Sequence, residues 1–163
     1  TYVFAPSRCS SNGGSKMIDF REATSLDIPV LVSLDREYFA HTAWPAEQFR
    51  GEIGKQTRFF LVVEDDQEII AYAGAFLPNA GGEGDIMTIA VKPGYRRKGI
   101  AKELIARLES WAKARGAIAM MLEVDVTNSD AISLYRNLGY ESLNIRKNYY
   151  GYGLDAQIMR REL

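Results

Sequence analysis

Between Asp85 and Gly116 the hydrophobic pattern changes period once, and that change constrains the fold more than any other feature. "DIMTIAV" (85–91) is an apolar run of strand length. After Gly99, Ile100, Leu104, Leu108 and Trp111 recur every three to four residues, the spacing of one helix face. Gly116 stands where a helix C-terminal cap belongs. Between strand and helix lies "KPGYRRKG", in which Gly94 and Gly99 keep the five-residue spacing of a P-loop. Ile100 and Ala101 follow, rather than Lys and Ser or Thr, so that motif is incomplete. A strand that feeds a turn into a helix predicts an α/β protein.

The same switching continues on both sides. "MIDFREA" alternates apolar and polar residues and predicts a first strand. Ser25 is expected to cap a helix running to Phe39, with Ile28, Leu31, Leu34 and Tyr38 on one face. A second short helix is expected to take Pro45 as its first residue and to carry Phe49 and Ile53. "RFFLVVED" and "EIIAYAGAFL" predict a hairpin turning through Asp65, Asp66 and Gln67. "AIAMMLEV" predicts a further strand, followed by a helix capped by Asn128 or Ser129 that points Ile132 and Tyr135 inward and stops at Gly139. "YESLNIRKNYY" and "LDAQIMRREL" predict a final strand pair. The order β-α-α-β-β-β-α-β-α-β-β describes a mixed α/β sheet without internal repeats.

At 163 residues the chain suits one domain. Residues 1–16 lack periodicity and are expected to be a tag remnant or flexible leader, leaving 17–163 as the folded domain. A net charge of −1 does not point to nucleic acid or to an anionic membrane, so any anion site must be local. Arg96, Arg97 and Lys98, flanked by Lys92 and Lys102, form the densest basic cluster. One cysteine (Cys9) and one histidine (His41) argue against a disulfide and against a metal site. No run approaches the ~20 apolar residues of a membrane span, and a cytoplasmic protein is expected.

Strand, basic glycine turn and helix together aim backbone N–H groups and a positive dipole end at one point, which suits a pyrophosphate. An ordinary strand-to-helix turn with a solvated basic face fits the same residues. The wider sequence carries more. "RRKGIA" (96–101) resembles the Arg/Gln-x-x-Gly-x-Gly/Ala turn of the GNAT acetyltransferases. "TIAVKPGYRRKGIA" and "LEVDVTNSDAISLYRNLGY" resemble that family's cofactor-binding half, and with "RKNYY" and "DAQIM" they are similar to its RimI-type N-terminal acetyltransferases. The resemblance runs from about Met17 to the C-terminus and implies a central mixed, mostly antiparallel sheet flanked by helices. It also implies acetyl-CoA as co-substrate, with no metal. Ile89, Ala90 and Val91 would run beside the pantetheine arm, and Arg96, Arg97, Lys98, Gly99, Ile100 and Ala101 would cap the pyrophosphate. Asn128 would touch the cofactor near its reactive end; it also fits a helix cap.

Glu123 is a carboxylate within the apolar strand "AMMLEV", facing either solvent or a polar cleft. Tyr135 on the following helix reads as a core aromatic. The resemblance assigns Glu123 as proton acceptor, acting through water, and Tyr135 as the acid for the coenzyme A thiolate. No nucleophile elbow is present, so direct transfer in a ternary complex is expected. The resemblance further implies an N-terminal segment of a small-subunit ribosomal protein as partner, its alanine amine being the acceptor, with Tyr149 and Tyr150 clasping the peptide. Trp44 belongs to the loop lining the acceptor pocket, and "HTAWP" departs from the family's usual Pro-before-Trp order. Broader peptide N-termini, small-molecule amines and an inactive acyl-CoA-binding module are the alternatives. A monomer or weak dimer is expected.

Overall fold

The computed structural model describes residues 18–163. The expected leader, Cys9 and Met17 lie outside the described residues. The strands are β1 (Ile18–Glu22), β2 (Arg58–Asp65), β3 (Glu68–Phe76), β4 (Glu83–Val91), β5 (Ala119–Asp125), β6 (Glu141–Arg146) and β7 (Ala156–Glu162). The helices are α1 (Ile28–Phe39), α2 (Ala46–Glu52), α3 (Ile100–Ala114) and α4 (Ser129–Asn137). One seven-stranded sheet has the order β1-β2-β3-β4-β5-β7-β6. Its neighbours are antiparallel except β4 and β5, which are parallel, so the sheet is mixed and mostly antiparallel as expected.

Helices cover both faces. Leu31, Leu34 and Phe49 pack with Phe60, Val62 and Tyr72 on one side. Leu104, Ile105, Leu108 and Trp111 pack with Met120, Leu122 and Met159 on the other. Covering on both sides explains why Ile69–Ala75 of β3 are buried without interruption: a two-sided strand reads as a continuous apolar run. Gly116 closes α3 as expected, at φ 85°. Its N–H bonds to Lys113 O, and Ala117 N–H reaches back to Ala112 O, a Schellman cap.

Four boundaries differ from expectation. Thr24, not Ser25, is the cap: its Oγ1 accepts from Leu26 N, while its own N–H bonds to Asp27 at 2.7 Å. A single 3-10 turn (Ser25–Asp27) follows, and α1 begins at Ile28. Pro45 is extended (φ −71°, ψ 163°) and precedes α2 by one residue. The β2–β3 loop is shorter than expected, because Asp65 pairs with Glu68 and leaves only Asp66 and Gln67, at φ 51° and 68°, the left-handed pair of a type I′ turn. Finally, β6 ends at Arg146, where Asn148 turns the chain at φ 55°. Tyr149 and Tyr150 therefore sit in a turn rather than in a strand.

Two irregularities open the sheet. Thr88 pairs with Gly74 and Ile86 with Ala75, which leaves Met87 as a bulge in β4. Residues Glu83–Ile86 pair with Ala119–Leu122, and beyond that rung β4 and β5 separate. The result is a fork in mid-sheet.

Candidate active site

Beyond the fork, Ile89, Ala90 and Val91 pair with Ala73, Tyr72 and Ala71 of β3 and have no rung to β5. Their free side is a strand edge able to hydrogen-bond an extended polar chain. Val91 O already accepts from Arg96 Nε at 2.9 Å, which pulls the following turn back onto the strand.

That turn contains a 3-10 segment (Pro93–Tyr95), then Arg97 and Gly99 at φ 62° and 82°, and then α3. Gly99 is the N-cap of α3 and offers no side-chain acceptor, so the first-turn N–H groups face outward. A Cβ at Gly99 would meet nothing within 4 Å; glycine is needed there for the left-handed backbone. Arg96, Arg97 and Lys98 are exposed and anchored separately: Arg96 lies 5.7 Å from the Tyr38 ring, Arg97 pairs with Asp130 at 2.9 Å, and Lys98 lies 5.1 Å from the Tyr95 ring. Tyr95 in turn donates to Asp65 at 2.7 Å. Ile100 is buried in the core and Ala101 is half-buried, so both reach the turn through their backbone.

Glu123 lies on the face of β5 opposite Leu122 and Val124 and is half-buried. Burial raises its pKa, opposed by Arg146. Asp85 of β4 was not singled out by sequence reasoning. Burial, with the Glu123 charge added, pushes it up to about 7. The available signal was the one that marked Glu123, a carboxylate inside an apolar strand. Tyr135 is buried and stacks edge-on with Tyr140 at 5.7 Å. Burial raises its pKa to about 12, so the hydroxyl keeps its proton at neutral pH.

The β6–β7 turn completes the cluster. Asp155 accepts from Asn148 N and pairs with Lys147, while Asn148 Oδ1 accepts from Gly153 N. This frame sets the Tyr149 and Tyr150 rings 4.9 Å apart, with the Arg146 guanidinium 4.9 Å over Tyr149. Tyr149 is raised by burial and then by Glu123 and Asp85, and Arg146 opposes them. Tyr150 is raised by burial, then Tyr149, Glu123, Asp125 and Tyr135. The structure thus brings Glu123, Tyr135, Tyr149 and Tyr150 together at the fork and adds Asp85 and Arg146.

Asn128 and Trp44 have structural positions of their own. Asn128 is the cap of α4, its Oδ1 accepting from Ala131 N at 3.1 Å, and it is exposed. Trp44 is half-buried, with its ring 5.3 Å from Phe49 and 6.1 Å from Phe60. Its N–H donates to Asp35 at 2.5 Å. His41 is exposed in the same loop. Among the described residues no group of three or more His, Cys, Asp or Glu is placed to hold a metal ion, and no helix is long and apolar enough to cross a membrane.

Residues 27–140 match the profile of the acetyltransferase (GNAT) family. An N-alpha-acetyltransferase of Sulfurisphaera tokodaii is 30% identical over 154 residues, covering 88% of this chain and 92% of the relative. An uncharacterized protein of Mycobacterium leprae is 33% identical over 145 residues, or 85% of this chain, yet the chain spans only 39% of that relative's length. The crystal structure of the ribosomal-protein-S18-alanine N-acetyltransferase from Escherichia coli is similar with a TM-score of 0.79 and 27% identity, over 90% of this chain and 94% of that one.

Proposed function

The chain belongs to the GNAT acetyltransferase family as a RimI-type, acetyl-CoA-dependent N-acetyltransferase, and we propose that it acetylates the N-terminal alanine of a small-subunit ribosomal protein, with Glu123 as base and Tyr135 as acid. The observation that carries this reading is the convergence of Glu123, Tyr135, Tyr149 and Tyr150 where β4 and β5 part.

The residues at the fork fit acetyl-CoA. The unpaired edge of Ile89–Val91 offers backbone groups to the amides of the pantetheine arm. The left-handed turn from Arg96 to Ala101 offers charge and the N-terminus of α3 to the pyrophosphate. Asn128, the cap of α4, would touch the cofactor near its reactive end. Bound acetyl-CoA supplies an acyl thioester.

A peptide α-amine has a pKa near ~8 and is mostly protonated at neutral pH. Glu123, its proton affinity raised by burial, takes that proton, directly or through water. The bulge at Met87 leaves backbone outside the β3 ladder, a donor for the developing oxyanion. Tyr135 delivers its hydroxyl proton to the departing sulfur. Tyr149 and Tyr150 clasp the peptide backbone, and the loop around Trp44 lines the first residue's pocket. This assignment favours a peptide over a small amine, since a small amine needs no such clasp. The His41–Pro45 loop departs from the usual order and supports a second reading, a broader range of peptide N-termini. A monomer or weak dimer in the cytoplasm, where ribosomal proteins are made, accords with either.

Steady-state kinetics test the roles. Glu123→Gln is expected to lower kcat by ~10²-fold or more with coenzyme A affinity intact. Tyr135→Phe should likewise lower kcat more than cofactor affinity, and Tyr149→Ala should raise the peptide KM. Unchanged turnover in Glu123→Gln across pH contradicts the base assignment.

A further inference from the structure

Asp85 has no role in the scheme above, yet its position is unusual. It stands opposite Met121 in the β4–β5 ladder, one rung before the strands part. Glu123 is two residues beyond Met121 on the same strand, and alternation places it on the same face of the sheet. Two half-buried carboxylates therefore share one face of two adjacent strands at the apex of the fork. Like charges so placed cannot both ionise without mutual cost.

The groups facing this pair come from every surrounding element. Glu123 and Asp125 belong to β5 and Arg146 ends β6, while Arg160 of β7 stands opposite Met121 and is paired with Glu83 of β4 at 2.7 Å. Tyr149 and Tyr150 come from the β6–β7 turn and Tyr135 from α4. Across β3, Phe76 pairs with Asp85 and with Arg58, whose guanidinium covers the Phe76 ring and is itself bonded to Glu52 of α2. Among the described residues Arg146 acts on Glu123, and Arg160 is taken up by Glu83 and Glu162. Asp85 is raised by burial and then by the Glu123 charge.

We propose that Asp85 and Glu123 form one proton-accepting pair, in which Asp85 is a positioning residue that makes Glu123 a stronger base. The repulsion is mutual by Coulomb's law, so the first proton to arrive belongs to the pair rather than to either residue. In the working cycle the doubly ionised pair takes one proton from the acceptor's ammonium group, passing from charge −2 to −1. The amine nitrogen keeps its electron pair for attack, and solvent later removes the proton from the carboxylates. The direction of the Asp85 shift, upward to about 7, agrees with a base poised near neutral pH.

The inference rests on Glu123 being the base, and two measurements separate the claims. The first is the pH profile of kcat/KM. The wild type should show an acidic limb near neutrality. Asp85→Asn should move that limb down by about one pH unit or more and lower the plateau a few-fold, because the remaining carboxylate is a weaker base. Asp85→Glu should restore the limb. An unmoved limb in Asp85→Asn overturns the proposal. The second is a carboxyl-carbon NMR titration of the wild type and of Glu123→Gln, which needs no turnover. The Asp85 resonance should titrate near neutrality in the wild type and about one unit or more lower in Glu123→Gln. An Asp85 that titrates alike in both proteins overturns the pair even if Glu123 is the base. Coupled titration with full activity in Glu123→Gln overturns the base assignment, and the catalytic proposal with it.

Discussion

Tyr72 of β3 donates its hydroxyl hydrogen to Asp35 of α1, and both residues are enclosed in the core. The second Asp35 oxygen accepts from Trp44 N at 2.5 Å. Thr88, next to the β4 bulge, hydrogen-bonds the Tyr72 hydroxyl. One polar chain thus ties the loop carrying Trp44 to the strand that borders the fork. Tyr72→Phe removes the donor and leaves a buried carboxylate short of a partner. Chemical denaturation should show a loss of about 1–3 kcal/mol. Trp44 emission should shift as its loop loosens.

Two glycines near the fork should respond differently to alanine. Gly99 has open space but φ 82°, so Gly99→Ala should cost about 1–2 kcal/mol through backbone strain alone. It should also weaken coenzyme A binding, because relief of the strain moves the N–H groups at the start of α3. Gly74, beside the bulge, would place a Cβ 2.4 Å from the Phe60 ring. Gly74→Ala should therefore cost more, with the ring displaced from Trp44 and Phe49. Paired melting curves read both, and a larger loss in Gly99→Ala contradicts the ranking.

Stability should depend on pH through Asp85. Burial and the Glu123 charge push its folded pKa up to about 7, above the ordinary aspartate value of 3.8. Protonated Asp85 therefore favours the folded state, a contribution fully present below pH 3.8 and lost as pH rises through 7. Asp85→Asn keeps a neutral group at every pH. Relative to wild type it should be nearly unchanged at pH 3, where the unfolded carboxyl is protonated as well, and more stable by up to about 4 kcal/mol at pH 8. Equal differences at the two pH values would contradict burial of the Asp85 charge.

What the sequence made legible was whatever depends on local period and local chemistry. The face formed by Ile100, Leu104, Leu108 and Trp111, the Schellman glycine at 116 and the Asn128 cap are properties of a few consecutive residues. The fork is not local. The bulge at Met87 is defined only against Gly74 and Ala75, and the parting after Leu122 only against β4. "YESLNIRKNYY" reads as a single strand, yet Asp155, seven residues beyond Asn148, folds its second half into a turn. Asp85 bears the same local mark as Glu123, a carboxylate in an apolar strand, but its significance lies in Glu123, on another strand.

The central claim is that the fork delivers acetyl to the α-amine of a peptide. Its most direct test is to incubate the protein with acetyl-CoA and a peptide that begins with alanine and carries internal lysines, beside free lysine and polyamines, and to locate the product by tandem mass spectrometry. The account predicts acetyl on the alanine nitrogen, lost when that nitrogen is blocked beforehand. Acetyl found only on lysine side chains or on the small amines would contradict it.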